Sequence, residues 1–113
     1  MNFPNGFKEK YQHLLGDDAA ALFATVEQEA VSAFRTNPLK EAQKAFDDPI
    51  PNTPWGHYGK VSGKSIEHAT GLVYLQEQAA QIVAQVAQPK PGMKVIALAA
   101  ATGGKTKQLL SYL

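Results

Sequence analysis

The sequence contains no cysteine, which excludes disulfides, thiolate-bound zinc and a cysteine nucleophile within its 113 residues. It has no long apolar run either. The longest, Val95–Ala101, is seven residues, against the roughly 20 that a membrane-spanning helix needs. An excess of one charge is missing as well: eleven basic and ten acidic residues leave a net +1. No overall field therefore marks the chain as a binder of nucleic acid or anionic membrane, and any such contact must come from local arrangement. His13, His57 and His68 lack metal-ligand spacing, so no metal site is expected. Met-Asn-Phe-Pro does not open a signal peptide, and a cytoplasmic location is expected.

What is present is a 44% hydrophobic chain, enough for one small core. Phe7, Tyr11, Leu14 and Leu15 share a helical face, and Gly16 suits the C-terminal cap. Asp17 or Asp18 can cap a second helix, in which Ala19, Leu22, Phe23, Val26, Ala30 and Phe34 keep one face, predicting a helix as far as Phe34. Pro38 then pushes Asn37 toward an extended conformation, and a short extended piece fits there. Leu39, Ala42, Ala45 and Phe46 resume helical spacing until Asp47-Asp48-Pro49 ends it. Prolines and glycines from Pro49 to Gly63 predict a connecting segment, with Tyr58–Val61 as a strand candidate. Ser65 can cap a helical turn through His68, closed by Gly71. Ala79, Ile82, Val83 and Val86 line one face of a helix running to about Gln88, where Pro89 stops it. Residues 1–63 thus read as a small, mostly helical subdomain with its connecting segment, and residues 64–113 as a second unit.

That second unit closes on MKVIALAAATGGKTKQLLSYL. Val95–Leu98 is a continuous apolar run of the kind found in a strand buried on both faces. Gly103 and Gly104 then permit a sharp turn, and the pattern after them is helical. The backbone N–H groups that open such a helix face the crevice where parallel sheets bind ligands. Only nine residues follow Gly104, whereas each further βαβ unit needs roughly thirty. A strand left uncovered in this way invites self-association. Taken alone, the loop also lies one residue from a phosphate-binding G-x-x-x-x-G-K-[ST] motif, with Ala99 at the first glycine. That reading assigns Lys105 to phosphates and Thr106 to magnesium. A third possibility is a glycine turn that binds nothing.

Three blocks carry a resemblance. V-I-A-L-A-A-A-T-G-G-K-T, Val95–Thr106, is similar to the first cofactor motif of the RNA (cytosine-5)-methyltransferase family, V-L-D-L-[CA]-A-A-P-G-[GS]-K-T. Arg35-Thr36-Asn37-Pro38-Leu39-Lys40 resembles the family's R-x-N-x-L-K segment, and Glu67-His68 followed by Gly71–Glu77 resembles the block before its cofactor strand. Ala97 stands where the family has aspartate, and Thr102 where it has proline. The resemblance implies an α+β fold: a mostly helical N-terminal RNA-binding subdomain, then the incomplete start of a Rossmann-like methyltransferase domain. It implies that Ala99, Ala100, Ala101, Thr102, Gly103, Gly104 and Lys105 wrap S-adenosylmethionine, with Lys105 directed to its carboxylate. It implies an RNA partner, rRNA or tRNA, whose phosphates are met by Arg35, Asn37 and Lys40. Lys60 and Lys64, beside Trp55, His57 and Tyr58, are further candidates, the aromatics offering faces for bases. The family's catalytic cysteines belong to later motifs, so no catalytic residue is expected here and the chain is not expected to methylate by itself. The alternatives are a non-catalytic RNA-binding remnant and a phosphate-binding fragment.

Overall fold

The computed structural model describes residues 2–40 and 45–113. They form two compact units, Met1–Ala30 and Val31–Leu113. No described helix is long and apolar enough to cross a membrane.

In the first unit, α1 (Phe7–Leu15) and α2 (Ala19–Val26) are joined by a 3-10 turn, Gly16–Asp18. The aromatic residues of α1 lie four apart, which puts them on one face. Phe7 stacks on Phe3 at 5.1 Å and tilts against Tyr11 at 4.6 Å, while Phe23 of α2 meets Phe3 edge-on at 5.7 Å. The Lys8 ammonium caps this cluster, 4.8 Å from the Phe3 ring centroid. As expected, α1 stops at Gly16, whose φ of 55° suits glycine better than a residue with a β-carbon. Asp17 and Asp18 sit inside the 3-10 turn, and Asp18, which precedes α2, makes no capping hydrogen bond with its side chain.

The expected continuation of α2 to Phe34 is corrected. The helix ends at Val26, and Ala33–Thr36 is instead β1 of the second unit. Ala30 and Phe34 match the helical period by coincidence, and pairing on both edges of Ala33–Thr36 overrides it. β1 is the central strand of a three-stranded antiparallel sheet, between β2 (Gly56–Tyr58) and β3 (Val73–Leu75). The register sets Phe34 opposite His57 and Leu75, and Arg35 opposite Gly56 and Tyr74. Because side chains alternate along a strand, Phe34, His57 and Leu75 share one face. Arg35, Gly56 and Tyr74 share the other. On the first face, Phe34 stacks on His57 at 5.5 Å and meets Phe46 edge-on at 5.1 Å. The sheet draws its strands from both sides of residues 63 and 64. β2 begins two residues before the predicted Tyr58–Val61. The helix expected from Leu39 to Phe46 falls in part outside the described residues, and Ala45 and Phe46 are not helical.

α3 (Ile66–Ala69) is capped as expected, the Ser65 hydroxyl accepting from the His68 N–H at 3.2 Å. Ser65→Ala is expected to destabilise this turn by about 1 kcal/mol, read as faster amide exchange at His68 and Ala69. α4 (Gln78–Ala87) is capped by the Glu77 carboxylate, which accepts from the Ala79 and Ala80 N–H groups.

One further expectation is corrected, that of a strand at Val95–Leu98, and α4 packs by a side that its apolar spacing does not mark. The apolar face of α4, Ala79, Ile82, Val83 and Val86, points away from the core, and the helix buries Gln81 and Ala84 from its opposite side. Ile82, Val83 and Val86 remain 42%, 48% and 76% exposed. The physical reason is polar: the Gln81 side-chain amide donates to the Phe34 carbonyl at 3.3 Å and the Gln76 carbonyl at 3.0 Å, which anchors that side. Val95–Leu98 is not a strand. It has no regular structure, and Ile96 and Leu98 are 84% and 96% exposed. A buried parallel strand is made by its neighbours, and the only sheet among the described residues is the antiparallel one. The predicted helix after the glycines is present as α5 (Gly104–Leu110).

Candidate functional site

The three blocks, separated in sequence, meet around one side chain. Arg35, at the centre of β1, is only 4% exposed. Its Nε donates to Gln76 Oε1 at 2.9 Å, just beyond β3, and its Nη2 donates to the Gly104 carbonyl at 3.3 Å, at the start of α5. The guanidinium carbon lies 5.6 Å from the Tyr74 ring centroid. Burial pulls the Arg35 pKa down, opposed by the Tyr74 and Tyr112 hydroxyls, yet a guanidinium stays charged in a protein. Burial also raises the Tyr112 hydroxyl, with Arg35 opposing the shift.

Asn37 and Lys40 have positions of the same kind. The Asn37 amide donates to the Gly71 carbonyl at 3.0 Å while its oxygen accepts from the Leu39 N–H at 3.0 Å. The Lys40 ammonium donates to the Thr70 carbonyl. All three residues expected to meet RNA therefore fasten the turn after α3 or the start of α5, and all three line one cavity of about 300 Å³. Trp55, His57 and Tyr58 are half-buried; Trp55 tilts against Tyr112 at 5.3 Å, and His57 lies in the Phe34 cluster. Lys60 and Lys64 do not line that cavity.

The loop expected to hold a cofactor is shaped by two left-handed residues, Ala101 at φ 45° and Gly103 at φ 91°. The second suits glycine. The first places a β-carbon where it is disfavoured by about 1–2 kcal/mol. The loop is tied by Gly103 N–H to the Ala100 carbonyl at 2.8 Å, and the Tyr74 hydroxyl reaches 3.5 Å from the Thr102 carbonyl. Ala99–Thr102, Gly104 and Lys105, with Tyr74, Gln76 and Ala80, surround a second cavity of about 200 Å³. A β-carbon added at Gly104 would stand 3.3 Å from the Tyr74 ring. The Thr106 hydroxyl is buried without a partner among the described residues, so it does not present the oxygen that a phosphate-binding loop offers to magnesium. No group of three or more His, Asp or Glu residues among the described residues is placed to hold a metal ion.

Tyr74 was not singled out by sequence reasoning, nor was Lys107. Tyr74 borders both cavities. Lys107 sits over the Tyr74 ring, its Nζ 4.8 Å from the centroid, and His68 lies 6.3 Å away from the same ring. The available signal was the interleaving of an aromatic with the basic residues of the flanking blocks. Beneath the site runs a buried glutamine chain: Gln108 donates to the Gln81 carbonyl at 2.7 Å, and Gln81 in turn donates to Gln76 and Phe34. It fixes α5 and α4 to the sheet.

The profile of the N-terminal domain of 16S rRNA methyltransferase RsmF matches residues 3–78. The tRNA (cytosine(49)-C(5))-methyltransferase of Pyrococcus abyssi is 32% identical over 119 aligned positions, covering 93% of this chain and 38% of that protein. The crystal structure of PH0851 superposes with a TM-score of 0.75 at 27% identity, over 96% of this chain and 28% of that one. A methyltransferase homolog protein from Pyrococcus horikoshii superposes with a TM-score of 0.73 at 29% identity, over 98% of this chain and 41% of that one. The chain spans less than half the length of each of these relatives.

Proposed function

Because the chain belongs to the RsmF N-terminal domain family, within the RNA (cytosine-5)-methyltransferases, we propose that it supplies the RNA-facing region and the first cofactor loop of an S-adenosylmethionine-dependent enzyme acting on rRNA or tRNA. The observation that carries this reading is the double hydrogen bond of Arg35, which locks the R-x-N-x-L-K block to Gln76 and to Gly104 of the glycine loop.

S-adenosylmethionine supplies the methyl group when bound. The residues around the 200 Å³ cavity suit one end of it: the turn at Gly103 gives backbone access, and Lys105 offers a positive charge for a carboxylate. Pockets that enclose a drug-sized ligand measure roughly 300–1,000 Å³, so the remaining walls belong to other parts of a methyltransferase domain. The exposed apolar residues support this. Ile82, Val83 and Val86 on α4, with Val95, Ile96 and Leu98, are what a Rossmann-like sheet and its covering helix would bury. In that setting Val95–Leu98 becomes the strand that its composition suggests, and in this chain alone it drives self-association. Ile96→Asp with Leu98→Asp is expected to leave the thermal midpoint unchanged and to shift the chain toward monomer in sedimentation at micromolar concentration.

Calorimetric titration tests the cofactor assignment. S-adenosylmethionine is expected to bind, and ATP with magnesium is not; binding of ATP alone would transfer the loop to the phosphate-binding reading. Methyl transfer by this chain alone is not expected, since it has no cysteine.

A further inference from the structure

The cavity of about 300 Å³ on the Arg35 side of Tyr74 combines features that the hydrogen bonds of Arg35, Asn37 and Lys40 do not use up. Val73 lies buried at its base, the exposed Leu39 and Leu110 side chains add apolar lining, and Lys40, His68 and Lys107 also line it. Tyr74 is the common wall, with the Lys107 ammonium at 4.8 Å and the Arg35 guanidinium carbon at 5.6 Å from its ring. His68 is inclined 31° to that ring. Of the five Arg35 donors, two account for its protein hydrogen bonds among the described residues. Apolar lining, an aromatic wall and clustered cations match an unpaired nucleotide, whose base is flat and apolar on its faces and whose phosphate is anionic.

We infer that this cavity is the seat of one unpaired ribonucleotide of the RNA, its base against Tyr74 and His68 and its phosphate against Lys107 and Lys40. The inference rests on the RNA reading above and narrows it to a place and a strand state. The volume is at the lower end for ligand pockets, which suits one nucleotide better than a base still stacked in a duplex. The position also has a consequence. Tyr74 and Arg35 stand between this seat and the cofactor loop, so a nucleotide here is held one side chain away from Thr102 and Gly104.

The test uses the whole chain and a labelled ten-nucleotide single-stranded RNA, with its duplex as comparison, followed by fluorescence anisotropy from low to high salt. Single strand is expected to bind more tightly than duplex. Lys107→Gln is expected to weaken binding several-fold and to make the salt dependence shallower by about 0.7 in log–log slope, one phosphate contact on a single strand. Lys107→Arg should restore the slope, which a merely structural lysine would not require. Tyr74→Leu keeps apolar volume but removes the ring, and is expected to weaken binding about tenfold. Lys90→Glu, outside the cavity, is expected to change affinity less than twofold. Thermal midpoints of all variants identify any loss due to unfolding, and Lys107, being exposed, provides the arm least sensitive to it. Binding that is unchanged in both Lys107→Gln and Tyr74→Leu overturns the seat and leaves the RNA reading standing. Failure of the unaltered chain to bind either RNA overturns the RNA reading, and the seat with it.

Discussion

Arg35→Met is expected to destabilise the Val31–Leu113 unit by about 3 kcal/mol, since each hydrogen bond from a charged donor contributes roughly 1.5–3 kcal/mol and its loss strands a buried partner. Methionine keeps the stem of the side chain and removes the donors. Gln76 Oε1 loses its 2.9 Å partner and the Gly104 carbonyl its 3.3 Å one. Gln76 is itself buried and cannot turn to water. Arg35→Lys should recover less than half of the loss, because a single ammonium cannot span two acceptors as a planar fork does. Chemical denaturation checks the magnitude. Amide exchange checks the mechanism: protection should fall first in α5, which the Gly104 contact secures, before it falls in β2. Uniform loss across the sheet would mean that Arg35 serves the strand pairing and has no special hold on the Ala99–Lys105 loop.

Gly56→Ala is the second large effect. Gly56 is directly across β1 from Arg35, on the face that receives α4. A β-carbon there would stand 2.4 Å from Gln81 Oε1, 2.5 Å from Thr53 Oγ1 and 3.2 Å from Ile50 Cδ1. The first atom ends a flexible side chain, yet that side chain is 1% exposed and its amide nitrogen is committed to two carbonyls. Moving it sacrifices those bonds, and overpacking of this kind costs about 1–3 kcal/mol. The backbone at Gly56 is not in the left-handed region, so the effect is one of space alone. It follows that Gly56→Ala and Gln81→Ala together should be less destabilising than the sum of the two, by 0.5 kcal/mol or more on the scale usual for residues in contact. Simple additivity would place the clash elsewhere.

Local punctuation was legible in the sequence. Gly16, Ser65, Pro89 and the Gly103-Gly104 pair each mark an end that the structure keeps, because caps and turns depend on a few adjacent residues. Long-range pairing was not. Ala33–Thr36 carries a helical spacing and becomes a strand only because Gly56–Tyr58 and Val73–Leu75 flank it. Val95–Leu98 has the composition of a buried strand and is not one here, since no neighbour pairs with it. The same reasoning explains α4. Its apolar residues were legible as one face, but the described chain covers the Gln81 side instead. The site was legible as three blocks in the right order. That they converge on Arg35, and that Tyr74 stands between two cavities, required the register of β1 with β3.

The central claim is that Ala99–Lys105 is a cofactor loop held in place by an RNA-side arginine. The most direct measurement is backbone amide chemical-shift mapping of the chain during titration with S-adenosylmethionine. The account predicts shifts confined to Ala99–Lys105, Tyr74 and Gln76, with Phe7–Val26 unmoved, and the same set perturbed more weakly in Arg35→Lys. Saturating S-adenosylmethionine that leaves Ala99–Lys105 unshifted, or equal shifts in that loop with ATP and magnesium, would contradict it.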